Sequence, residues 1–222
     1  MRKLLLSGIA VVLFALLSGA AIAQDYPVYT VPDVVDAWIT MHPAWGGPTT
    51  PHVMWIWLEE VGSYGYQAFP LIQFDLSGFK GHTVVGTPTL TLTVLGGWDI
   101  QYGYRGPWSQ TVQALRVVKP WTNNQVTWNN FGPGPICITP NWQGVVNVDC
   151  NPLDTVSMTV FVGDQVTWHI PASLLQQWID YPETNRGILL LSTTLLTCQD
   201  IGFGSLKNTT YPGPQLTFSL GF

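Results

Sequence analysis

The sequence predicts an all-β protein, a two-sheet antiparallel β-sandwich with one short capping helix. Short alternating or wholly apolar runs recur about every ten residues between turns rich in Gly, Pro and Asn, as in sandwiches and barrels. Residues 87–95 alternate Thr with Leu and Val so regularly that one face is expected wet and the other buried. Helical spacing appears in one place, where Leu174/Trp178 and Leu175/Ile179 repeat at i, i+4 between Pro171 and Pro182.

Taken in order, residues 24–33 read as an N-terminal arm and 34–41 as an opening strand. The Gly- and Pro-rich residues 43–51 form a loop. Residues 53–58 make a strand with Val53, Trp55 and Trp57 on one face, and 69–76 a central strand ending at Ser77-Gly78. After the Thr-rich strand, in which Thr89, Thr91 and Thr93 are expected to face solvent, 110–118 forms the next. Pro120 and Asn123-Asn124 turn the chain before Val126-Thr127-Trp128. Trp121 and Trp128, flanked by apolar residues, are expected in the core. Residues 154–162 and 165–170 are expected to form a hairpin across Gly163-Asp164, and strands at 188–194, 198–204 and 214–220 complete the set. No linker-like change in composition divides residues 34–222, which read as one domain.

Arg2-Lys3, an apolar run from Leu4 to Leu17 and Ala21-Ile22-Ala23 have the layout of a cleavable secretory signal over residues 1–23. The protein is therefore expected to be secreted, extracellular or on the cell surface. No later apolar run approaches the roughly 20 residues of a membrane span. Removing Arg2 and Lys3 lowers the 8 basic residues to 6 against 13 acidic, a net charge of −7 that disfavours nucleic acid as a partner. Charged residues are 9% of the chain, so Thr, Asn, Gln, Gly and Tyr must cover much of the surface.

Cys137 and Cys150 flank a 12-residue Pro- and Asn-containing loop and are the expected disulfide, with Cys198 left over; three buried thiols are the alternative. No catalytic constellation is evident. Gly62-Ser63-Tyr64-Gly65 lacks the first glycine of a nucleophile elbow, and His42, His52, His82 and His169 lack metal-ligand spacing. Adjacent Glu59 and Glu60 would point to opposite strand faces. No enzyme and no cofactor are expected, although turn carboxylates could hold a structural calcium ion without a ligand set standing out. Asn208-Thr209-Thr210 has the form of a glycosylation acceptor and marks an exposed turn.

The order of four blocks resembles the secreted DNRLRE-domain modules, grouped with the alginate-type carbohydrate-binding modules. These blocks are Asp36-Ala37-Trp38-Ile39, residues 71–77, Lys119-Pro120-Trp121-Thr122 with Val126-Thr127-Trp128-Asn129, and the helix with Asn185-Arg186-Gly187. The resemblance implies a jelly roll whose helix caps one end. It departs from the family in lacking the naming hexapeptide and in having Gly204-Ser205-Leu206-Lys207 where a serine-plus-acid segment is usual, so ligand residues do not transfer.

Between two strong strands, residues 96–108 concentrate four aromatics with glycines, an Asp and an Arg. Aromatic rings stack on the C–H faces of sugars while polar groups read hydroxyls. Trp98, Tyr102, Tyr104 and Trp108 are accordingly the expected polysaccharide contacts, with Trp45 and Trp142 weaker candidates; the alternative is that these rings plug the sandwich end. The expected function is a non-catalytic module binding extracellular or cell-wall polysaccharide. The second expectation is a surface or filament subunit that self-assembles by adding its arm as a strand to a neighbour.

Overall fold

The computed structural model describes residues 26–32, 35–40, 53–61, 64–99, 107–122, 125–127, 131, 147–194 and 199–221, with backbone alone for 38–40, 57–61, 64–67, 98–99 and 199. The expected leader, Trp45, Tyr102, Tyr104, Trp128, Cys137, Trp142 and Cys198 lie outside the described residues.

The strands are β1 (Val28–Pro32), β2 (Val35–Thr40), β3 (Val53–Val61), β4 (Tyr64–Gln73), β5 (Thr83–Asp99), β6 (Trp108–Arg116), β7 (Asp154–Val160), β8 (Gln165–His169), β9 (Ile188–Ser192), β10 (Gln199–Gly204) and β11 (Gln215–Gly221). Helix α1 spans Ala172–Asp180. All strand pairs are antiparallel. One sheet runs β1-β11-β5-β8, and the other contains β5, β10, β3, β4, β9, β6 and β7, with β2 on β4. The long β5 belongs to both. Its residues 83–93 pair with β11 and β8, and its residues 94–99 pair with β10.

The core lies between these sheets. Trp108, Trp168, Trp178, Met54, Leu90, Leu92, Ile201, Phe203 and Phe218 are among its buried side chains. The Trp168 ring meets Phe203 edge-on at 6.1 Å, and its indole N–H donates to the Val112 carbonyl at 3.1 Å. Helix α1 buries Leu174, Leu175, Trp178 and Ile179, the i, i+4 stripe read from the sequence. Gln176 ties it to β5, accepting the Val84 N–H at 2.7 Å and donating to the His82 carbonyl at 3.0 Å.

Every residue of β9 is buried, because both faces of its sheet are covered. Ile188 and Leu190 face the main core, while Leu189 and Leu191 join a second cluster with Phe69, Leu71, Leu115, Val117, Val126, Phe131 and Val148. Val117, Trp121, Val126, Phe131 and Val148 thus pack as an additional layer on this part of the sheet.

Four sequence expectations change. Residues 154–162 and 165–170 do not pair as a hairpin: β7 pairs with β6 and β8 with β5, so the turn is a corner between sheets. Gly163 has φ +91, and the corner bonds to Val94 in both directions at 2.8 Å. Thr93 is buried at 4% exposure, beside this corner where β5 leaves one sheet for the other. The central strand is Tyr64–Gln73 rather than 69–76, since the chain turns into a 3₁₀ segment at Ser77–Phe79. Finally, the arm carries a strand on this chain's own β11, where the filament expectation would place it on a neighbour's. Tyr29 anchors it against Phe79 and Phe218.

Candidate functional site

Two tryptophans chosen from the sequence part company at the junction of β5, β6 and β10. Trp108 opens β6 opposite Val160 and is 2% exposed. Its ring lies beneath Gly97: a Cβ at that position would come 2.6 Å from the ring and 2.3 Å from the Asp200 carbonyl oxygen. Trp108 is therefore core packing under β5 and offers no surface for a sugar. Pairing along β5 also corrects the expected loop 96–108 at both ends, since residues 96–99 and 108 belong to strands.

Trp98 occupies the other sheet face by register. It pairs with Asp200, which pairs in turn with Trp57, so the three form one row across β5, β10 and β3. The next row is Gly96, Gly202 and Trp55. The neighbouring Ile201 and Ile56 point into the core, which puts Asp200, Gly202 and Trp55 on the opposite, outer face. Gly202 is itself buried, with its would-be Cβ 2.6 Å from Val53 and 3.0 Å from Trp55. Trp55 is half-buried against Ala68, and Asp200 is 9% exposed. Two glycines, tryptophan positions in two rows and one buried carboxylate are thus gathered from strands distant in sequence. Trp55, Trp57 and Asp200 were missed as site residues. The shared face of Val53, Trp55 and Trp57 was legible, but their partners were not.

A second concavity, about 420 Å³, is lined by Lys119, Pro120, Trp121, Thr122, Gln125, Val126 and Phe131. Val126 and Phe131 are buried in the second cluster, and half-buried Trp121 packs against it. The Trp121 indole N–H donates to the Arg186 carbonyl at 2.7 Å. Trp121 therefore supports a satellite layer and borders an open cleft, where the sequence had placed it in the sandwich interior.

That bond ties two of the blocks behind the family resemblance, and Asn185 ties in a third. Its amide donates to the Phe74 carbonyl at 2.9 Å, its side-chain oxygen accepts the Gly187 N–H at 3.1 Å, and its carbonyl accepts from Gln73 at 2.8 Å. Gly187 has φ +85, and a Cβ there would lie 2.2 Å from the Ile72 carbonyl oxygen. These blocks act here as a junction of β4, β9 and the satellite layer.

Asp154 and His169 join the far ends of β7 and β8. Oδ2 of Asp154 accepts the His169 backbone N–H at 2.7 Å and lies 3.1 Å from its Nδ1. Partial burial pushes the Asp154 carboxyl up, but the backbone N–H groups of His169 and Thr155, with the His169 ring, outweigh it and hold the group below the usual carboxylate range. Asn208 accepts the backbone N–H groups of Thr210 and Tyr211 in a tight turn. Cys150 is held in a disulfide whose other half lies outside the described residues. Among the described residues no three His, Cys, Asp or Glu side chains gather as a metal site, and no helix is long and apolar enough to cross a membrane.

No protein-family model matches this chain, and no curated protein matches it.

Proposed function

We propose that this is an exported, non-catalytic module that binds polysaccharide on the outer face of β3, β10 and β5. The observation that carries the reading is the double row Trp98–Asp200–Trp57 and Gly96–Gly202–Trp55. Glycines keep such a face low, aromatic residues supply the apolar contact that a sugar ring's C–H face requires, and a carboxylate accepts from hydroxyl groups. The reading keeps Trp98 from the sequence expectation, leaves Tyr102 and Tyr104 as neighbouring candidates, and drops Trp108. Export rests on the leader-like residues 1–23 and on the low charge. Membership of the DNRLRE-type modules is part of the same proposal, resting on the block order, and so is pairing of Cys150 with Cys137.

The test is affinity electrophoresis and pull-down of the purified protein on a polysaccharide panel, with eluted glycans checked for cleavage. Saturable binding without cleavage is expected, and Trp98→Ala should weaken it while far-ultraviolet circular dichroism stays unchanged. Binding to no polysaccharide, or release of shortened glycan, would sink the reading.

A further inference from the structure

Strands β1, β7 and β8 each lie at a sheet edge, with one side unpaired among the described residues. A bare row of strand N–H and C=O groups is a template for pairing with another chain, and proteins blunt such edges with prolines, charges or short strands. Strand β1 follows Pro27 and ends at Pro32, and five-residue β8 has its His169 N–H taken by Asp154 Oδ2. The middle of β7 has no such protection. Residues 155–162, Thr-Val-Ser-Met-Thr-Val-Phe-Val, hold no proline, glycine or charge, and Phe161 and Val162 are 55% and 52% exposed.

The backbone bonds of β6 show which groups of β7 are open. The Thr193 N–H donates to the Thr111 carbonyl at 2.8 Å, and the Thr111 N–H donates to Thr194 Oγ1 at 2.7 Å, so Thr111 turns toward β9. Its neighbours Gln110 and Val112 therefore turn toward β7, where they pair with Met158 and Val156. Thr155, Ser157 and Thr159 are left facing the outer edge. Both ends of this row are closed. The Thr155 N–H goes to Asp154 Oδ1 at 2.7 Å, the Phe161 N–H to Asp164 Oδ2 at 2.8 Å, and the Phe161 carbonyl accepts the Asp164 N–H at 3.1 Å. The open donors are thus the N–H groups of Ser157 and Thr159.

A second copy of β7, antiparallel about a two-fold axis at Ser157, matches this set. The two Ser157 residues exchange N–H···O=C bonds, and each Thr159 N–H meets the Thr155 carbonyl of the other copy, so all four donors find acceptors. An axis at Thr159 would instead aim the Ser157 N–H at the Phe161 carbonyl, which is already occupied. The chain carries a net charge of −5, yet residues 155–162 set no like charge against their copy. We infer that the protein forms a two-fold dimer through β7, which continues one sheet across both copies and does not depend on the proposed glycan-binding role.

Sedimentation equilibrium of the purified protein tests this, and the mass should rise reversibly from one chain to two with concentration. Ser157→Lys sets two ammonium groups opposite each other at the axis. It should raise the dissociation constant at least about tenfold, an effect that added salt reduces. Ser157→Cys should cross-link two chains on oxidation, because directly opposed, bonded residues lie about 5.5 Å apart between Cα atoms, within disulfide reach. Thr159→Cys should not, since its two copies stand four residues apart along the strands, about 13 Å. Ser157 and Thr159 are exposed, and the cysteine pair carries the test if the lysine variant fails to fold. A single chain's mass at every concentration, a dimer indifferent to Ser157→Lys, or equal cross-linking of the two cysteine variants would overturn the inference.

Discussion

Trp98 and Trp108 lie in the same thirteen-residue stretch, 96–108, and by composition alone they look equivalent. The fold places the two positions differently. Position 98 shares the outer face of β5 with Gly96, while the Trp108 ring lies under Gly97 on the core side. One glycine keeps a surface low, and the next makes room for an indole. Local pattern names the aromatic residues available for a surface, but strand register decides which of them can be used.

The largest test of this division is Trp108→Ala. Loss of a fully packed indole should cost about 3–5 kcal/mol of stability, read by chemical denaturation. Binding per folded molecule should remain. A stable variant with lost binding would reverse the assignment of the two tryptophans.

Gly97→Ala comes next, at about 1–3 kcal/mol. The upper part of that range is expected because the Asp200 carbonyl that its Cβ would strike belongs to the paired backbone. Gly202→Ala should also cost about 1–3 kcal/mol, toward the lower part because it strikes the Val53 and Trp55 side chains and no backbone atom. It should nevertheless weaken glycan binding by raising the floor, so comparing the two glycine variants separates packing from recognition.

Trp98→Ala should change thermal stability by under about 1 kcal/mol while lowering affinity about tenfold. A loss of stability as large as that of Trp108→Ala would erase the distinction.

The smallest effect belongs to neither tryptophan and controls for both. Asp154 has a folded pKa below its unfolded value of 3.8. Its contribution is present above 3.8 and is lost as pH falls through the lower folded value. Asp154→Asn should flatten that acid limb of the stability curve and leave glycan affinity at neutral pH unchanged. An unaltered acid limb would show that the clasp to His169 does not stabilise the fold.

The strands and the helix were legible where one periodicity dominates. The i, i+4 stripe of α1 and the alternation of residues 87–93 describe local geometry, and local geometry leaves a repeat in the chain. Thr93 failed because alternation assumes a single sheet, and β5 changes sheets beside it. The β7–β8 turn failed for a related reason. Its Gly163-Asp164 chemistry specifies a tight reversal without specifying which strands flank it, and those are β6 and β5.

By itself, the sequence determined the all-β class, the capping helix, the scarcity of charge and the set of aromatic residues from which a binding face can be made. Each follows from composition or from contacts within a few residues. Only the tertiary structure decided that β10 enters between β5 and β3, aligning Asp200 with Trp98 and Trp57, and that Trp108 turns inward. Cross-strand register joins residues roughly a hundred positions apart. It is set by the simultaneous packing of two sheets, and no single segment records it.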